Sequence, residues 1–135
     1  MITRRMVLLG SLLTSSIIGG LPAFAAPRRS PILQYLDPDN DGTVDLDEAK
    51  RAASALFDRL DRDRDGTLDR RELGGRLSRA EFNAANPDND GTLSKDEYLR
   101  VVERRFAAAN PDNDGTLDDK ELRSRAGQAL LRLLR

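Results

Sequence analysis

Asp37-Pro38-Asp39-Asn40-Asp41-Gly42-Thr43, with Glu48 five residues further on, is the stretch that decides the fold. It recurs three times, as Asp61-Arg62-Asp63-Arg64-Asp65-Gly66-Thr67 with Glu72, Asn86-Pro87-Asp88-Asn89-Asp90-Gly91-Thr92 with Glu97, and Asn110-Pro111-Asp112-Asn113-Asp114-Gly115-Thr116 with Glu121. One acidic turn has many innocent readings. Four in register, each holding a glycine at position six and a glutamate at position twelve, describe a repeated unit.

This is EF-hand spacing: side chains at positions one, three, five and nine, a carbonyl at seven and a bidentate glutamate at twelve surround a hard cation. The candidate ligands of loop 1 are Asp37, Asp39, Asp41, Thr43, Asp45 and Glu48, and those of loop 2 are Asp61, Asp63, Asp65, Thr67, Asp69 and Glu72. Loop 3 offers Asn86, Asp88, Asp90, Thr92, Ser94 and Glu97, and loop 4 offers Asn110, Asp112, Asp114, Thr116, Asp118 and Glu121. The threonines contribute only their carbonyls, and position nine binds directly or through water.

Composition narrows the chemistry. The 135 residues contain neither cysteine nor histidine, which removes thiolate and imidazole ligands, disulfides and the usual zinc, haem and iron–sulfur sites. Any metal must accept oxygen. Outside the loops no candidate acid, base or nucleophile stands out, so the chain does not read as an enzyme. Arginines interleaved with acids, and an aromatic content of 4%, argue against nucleic-acid binding. The core must come from leucine, alanine and valine, and it is thin enough for a bound ion to supply much of the folding free energy.

Residues 1–25 read as a cleavable export signal, with Arg4 and Arg5, an apolar run from Met6 to Leu21, and Ala23-Phe24-Ala25 before Ala26. Thr3-Arg4-Arg5-Met6-Val7-Leu8 resembles a twin-arginine signal, which implies a bacterial source and a periplasmic destination. A membrane anchor needs an apolar span nearer ~20 residues, and polar residues interrupt this one. Removing the two arginines takes the net charge from −1 to about −3.

The expected domains are the signal at 1–25, a lead-in and short helix at 26–36 with Ser30-Pro31 at its start, and a four-loop domain at 37–135. Ala49, Ala52, Ala53, Leu56, Phe57 and Leu60 form one helical stripe, and Tyr98, Val101, Val102, Phe106 and Ala109 form another. One helix therefore leaves loop 1 and enters loop 2. From Leu46 to Leu60 it is roughly 22 Å long, too far for loops 1 and 2 to lie side by side. The expected fold is an all-α, compact EF-hand bundle whose loops are joined by shared short helices, with loop 1 beside loop 4 and loop 2 beside loop 3. Val44 then faces Leu117, and Leu68 faces Leu93.

Between loops 2 and 3, two short turns of helix are expected, one ended by Gly74-Gly75 and one started by Ser78 with Glu81. Leu122 to Arg135 is expected to be one helix covering the core. Its basic amphipathic pattern also permits contact with a membrane surface, a weaker reading than packing.

Proline at position two (Pro38, Pro87, Pro111), aspartate at position nine (Asp45, Asp69, Asp118) and the compressed loop spacing resemble lanmodulin, the bacterial periplasmic lanthanide-binding family. So do Phe57-Asp58-Arg59-Leu60-Asp61, Gly75-Arg76-Leu77, Asp96-Glu97-Tyr98-Leu99 and Arg105-Phe106-Ala107-Ala108-Ala109-Asn110-Pro111. The resemblance implies a preference for lanthanide(III) ions, with Ca2+ as a weaker ligand, and ordering of a loose chain on binding. It also implies a role in rare-earth uptake, buffering or trafficking, with a metal-uptake protein or lanthanide-dependent dehydrogenase as partner.

The alternative is a periplasmic calcium sensor or buffer. Its cheap signature, a methionine-rich face, is missing, since Met1 and Met6 both lie in the signal. Asn86 and Ser94 depart from the resemblance, and Asn110 repeats the first of these changes. Affinity is therefore expected to fall from loops 1 and 2 to loop 4 and then loop 3.

Overall fold

The computed structural model describes residues 30–135, so the export signal expected at 1–25 and the first residues of the expected lead-in lie outside the described residues. The chain is mostly helical: α1 (Pro31–Leu36), α2 (Leu46–Leu60), α3 (Arg79–Ala85), α4 (Lys95–Ala109), α5 (Asp119–Arg123) and α6 (Arg125–Leu131). Four two-residue strands lie in the loops: β1 (Val44–Asp45), β2 (Thr67–Leu68), β3 (Leu93–Ser94) and β4 (Thr116–Leu117).

Each helix starts where its chemistry allows. Ser30 caps α1 through its hydroxyl, with Pro31 in the first turn, where a missing N–H costs nothing. Both 15-residue helices begin with a reciprocal capping box, Asp45 with Glu48 for α2 and Ser94 with Glu97 for α4.

Lys50 is ion-paired with Glu103, and Asp58 with Lys95 at 2.6 Å, so residue numbers rise along α2 as they fall along α4. The two long helices therefore run antiparallel. These exposed pairs report orientation more than they supply stability. Stability comes from what lies between: Ala49, Ala53, Phe57, Tyr98, Val102 and Phe106 are buried, and Phe57 meets Tyr98 edge-on at 5.6 Å.

β1 pairs antiparallel with β4, placing Val44 opposite Leu117, and β2 pairs with β3, placing Leu68 opposite Leu93. All four of these apolar side chains are 0% exposed, so every loop sends one residue into the common core.

Two expectations need correction. Leu122 to Arg135 is not one helix. Ser124 is extended (ψ 165°), ending α5 and capping α6, and its Oγ accepts the Gly127 N–H at 3.0 Å. After Leu131 the chain leaves the α-helix through a turn. The helical spacing of leucines survives this break because α6 packs on α4, burying Leu130, Leu131, Leu133 and Leu134, while Tyr98 donates its hydroxyl to the Leu133 carbonyl at 2.9 Å. Burial pushes the Tyr98 phenol above its usual range, so it stays a donor.

The segment after loop 2 is likewise not a helix. From Arg70 it makes turns only, because Gly74 (φ 57°) and Gly75 (φ 78°) both take the left-handed conformation before a second helical turn can close.

At α3 the Ser78–Glu81 capping box is present, with the Ser78 N–H donating to Glu81 Oε2 at 2.8 Å and Arg105 bonding Oε1 at 2.7 Å. The Ser78 amide first, and then Arg105, hold the Glu81 carboxyl down at about 2, against an ordinary 4.5. A carboxyl depressed by folding stabilises fully above its unfolded value, and its contribution disappears as pH falls from about 4.5 toward 2. The side chain is 47% exposed, so screening leaves about 1 kcal/mol. Glu81→Gln should unfold at lower temperature than the natural protein at neutral pH, and the two should converge in acid. A gap that persists to pH ~2 would count against this ionic contribution.

Candidate metal sites

Each loop is built on its own aspartates. Asp37 ends α1 with its N–H on the Leu33 carbonyl, and its carboxylate accepts the amides of Asp41 at 3.1 Å and Gly42 at 2.8 Å. Asp39 also accepts from the Asp41 amide, and Asp41 Oδ1 accepts the Thr43 amide and hydroxyl, both at 2.8 Å. Asn40 (φ 65°) and Gly42 (φ 94°) are left-handed, and the turn is tight enough to bring carboxylates from positions one, three and twelve together.

Asp37, Asp39 and Glu48 each place a carboxylate oxygen within 4.8 Å of the others. Glu48 is buried at 6% exposure; its Oε2 accepts the Asp45 amide, while Oε1 is buried with no hydrogen-bond partner among the described residues.

The electrostatics follow this crowding. Burial, then the charges of Asp45, Asp39 and Asp37, raise Glu48 above the ordinary glutamate value despite the bond from the Asp45 amide. Asp39 is pulled down by the Asp41 amide, but its shared hydrogen bond with Asp37, burial and neighbouring charge leave it raised. Burial also pushes Asp37 upward, and there the amides of Gly42, Asn40 and Asp41 with the Asp39 side chain win, leaving it lowered.

Loop 2 repeats the frame. Asp61 accepts the amides of Asp65 and Gly66, and Asp65 accepts that of Thr67. The carboxylates brought within 4.8 Å are Asp61, Asp63 and Asp65. The Asp65 amide pulls Asp63 down, yet burial and the charges of Asp65 and Glu72 raise it overall. Glu72 differs from Glu48: its Oε2 accepts the Asp69 amide, and its Oε1 accepts the Arg62 N–H at 3.0 Å. Position two thus bears on the glutamate at position twelve. Pro38 has no N–H to donate, which leaves Glu48 Oε1 bare, whereas Arg62 occupies the equivalent oxygen of Glu72.

Loops 3 and 4 keep the inner bonds, with Asp90 and Asp114 accepting the amides of Thr92 and Thr116, but open on asparagine. Asn110 Oδ1 accepts the Asn113 amide at 2.9 Å, while Asn86 is 4% exposed and its Oδ1 has no hydrogen-bond partner among the described residues. Neither loop brings three carboxylates together as loops 1 and 2 do, among the described residues.

Position nine has a second role, missed in reading the sequence. Asp45, Ser94 and Asp118 are helix N-caps, each accepting the amide of its own Glu48, Glu97 or Glu121. Asp69 makes the same bond to Glu72 where no helix follows. The Asp-x-x-Glu and Ser-x-x-Glu spacing that announces such a cap was visible all along.

The donor set fits a hard cation. It is entirely oxygen, and two buried oxygens at proposed ligand positions, Glu48 Oε1 and Asn86 Oδ1, lack the partner that burial normally demands.

Known proteins point the same way. Residues 54–74 match the EF hand family and residues 77–105 match the EF-hand domain pair family. Over 62 residues the chain is 55% identical to lanmodulin of Methylorubrum extorquens, a match spanning 44% of this chain and 47% of that protein. The chain thus spans about half the length of the relative it matches. In its acidic loops and over these matched stretches, the chain is similar to lanmodulin and to EF-hand proteins.

Proposed function

We propose that the chain is a periplasmic, non-enzymatic protein that binds lanthanide(III) ions in its four loops and serves rare-earth uptake, buffering or trafficking. The ligands are those named at positions one, three, five, seven, nine and twelve, within a domain at 37–135 that follows an export signal at 1–25. A metal-uptake protein or a lanthanide-dependent dehydrogenase is the proposed partner.

The observation that carries this reading is the loop 1 cluster, where Asp37, Asp39 and a buried Glu48 with a bare oxygen crowd into one small volume. Two like charges 4 Å apart repel by about 1 kcal/mol in water and about 4 kcal/mol at the effective dielectric of a protein surface. A trivalent guest relieves more of that repulsion than a divalent guest of similar size.

Binding would also order the chain. Between positions seven and nine each loop carries a fully buried apolar residue, so closing the oxygen cage draws Val44, Leu68, Leu93 or Leu117 into the core. Titrating the processed protein with lanthanum and with calcium, while following helical circular dichroism, tests this. Lanthanum should order the chain at far lower concentration. Ordering by both ions at similar concentrations would replace the rare-earth reading with the calcium one.

Asn86→Asp tests the ranking of the loops. A second charged oxygen at this buried position could accept the Gly91 amide as Asp37 accepts that of Gly42, tightening the loop around its ion. Affinity at the third site should rise by roughly tenfold, the effect of about 1.4 kcal/mol. Unchanged stoichiometry and affinity by calorimetry would refute the ranking.

A further inference from the structure

Away from the four loops, the turn after loop 2 meets α4 and α6 around an open cavity of about 390 Å3 lined by Arg76, Ser78, Glu81, Arg105, Arg125 and Arg132. We propose that this cleft binds a small tetrahedral oxyanion, a free sulfate- or phosphate-type ion or the phosphoryl group of a small ester. The inference stands apart from the loops and uses none of their ligands.

Charge is the first support. Four guanidiniums share the cavity with one carboxylate, Glu81, leaving three positive charges unopposed in a chain whose net charge is −1. Glu81 is already bonded to Arg105. Among the described residues, Arg76, Arg125 and Arg132 make no ion pair. Like charges gathered this way repel one another, and an anion removes that repulsion while collecting several guanidinium bonds.

Preorganisation is the second. Arg105 is only 13% exposed on its side chain, and it is held by the Ala129 carbonyl, the Arg76 carbonyl and Glu81. Arg76 donates through Nη1 to the Leu73 carbonyl, while its Nε is buried with no hydrogen-bond partner among the described residues. The Arg76 guanidinium is thus anchored at the cavity wall by one carbonyl and paired with no carboxylate among the described residues. Arg125 and Arg132 are exposed and free to close over a guest.

Chemistry restricts the guest. The cavity is of small-ligand size, and no aromatic ring lines it to stack a base. Guanidinium forks match the paired oxygens of a tetrahedral oxyanion, which favours a multivalent oxyanion over a halide.

The test is calorimetric titration of the full processed chain, its loops saturated with calcium, with sulfate and with glycerol 2-phosphate at fixed ionic strength. One saturable site per chain is expected. Tighter sulfate binding assigns a free ion and tighter ester binding a phosphorylated small molecule; either supports the site. Arg125→Ala with Arg132→Ala should weaken binding at least about tenfold. Arg51→Ala with Arg70→Ala, an equal loss of exposed charge elsewhere, should change it less than about twofold. Circular dichroism should show both double variants folded, since all four side chains are exposed. No saturation by either probe below about 10 mM, or equal weakening in both double variants, overturns the proposal.

Discussion

Gly127→Ala is expected to destabilise the protein by about 3 kcal/mol. A Cβ at Gly127 would lie 2.1 Å from the Glu121 carbonyl oxygen and 2.6 Å from that of Leu122. Both are backbone atoms at the end of α5, so no side chain can swing aside. Relief would require opening the α5–α6 corner, pulling Gly127 off Ser124 and shifting the leucines of α6 that cover α4. Alanine favours helix over glycine by up to about 1 kcal/mol, which is too little to offset the clash. Gly75→Ala is the comparison: its backbone is left-handed, but nothing lies near the added carbon, so its cost should stay near 1 kcal/mol. Thermal or denaturant unfolding measures both, and equal losses would show that the corner yields more easily than its geometry implies.

Glu48→Gln should have the largest effect on binding, and two effects of opposite sign. Outer-shell changes already cost metal sites about 10–100-fold, so loss of a direct carboxylate should weaken loop 1 by more than about a hundredfold. The metal-free protein should be no less stable. Glutamine keeps an oxygen for the Asp45 amide, the helix start survives, and the amide removes a buried charge whose neighbours are Asp45, Asp39 and Asp37. Lanthanum titration and urea unfolding without metal read the two effects separately. Affinity within about tenfold of the natural protein would remove Glu48 from the ligand set.

The parts of the fold that were legible in the sequence obey local rules. The stripes of α2 and α4, the Ser30-Pro31 start and the Ser78–Glu81 box each depend on residues within a turn or two of one another. The corner at Ser124 was hidden because Ala126, Ala129, Leu130 and Leu133 keep helical spacing with Leu122 on its other side. Extended Ser124 ends α5, and the corner it makes brings Gly127 against the Glu121 carbonyl, an approach that neither residue announces by itself. The same contrast holds within the loops. Their ligand pattern could be read from spacing, whereas the bare oxygen of Glu48 depends on a donor that Pro38 lacks across ten residues of chain.

The nesting of the strand pairs sets an order of assembly. Leu68 and Leu93 sit on either side of the short turn and α3, whereas Val44 and Leu117 enclose everything from α2 to α4. The inner pair closes a segment about a third as long as the outer, at a lower entropic cost. Once it has formed, the ends of α2 and α4 are already registered and the outer pair closes from a much shorter effective distance. Refolding should therefore proceed from the centre of the chain outward, with substitutions around Leu68 and Leu93 slowing folding and those around Val44 and Leu117 chiefly accelerating unfolding.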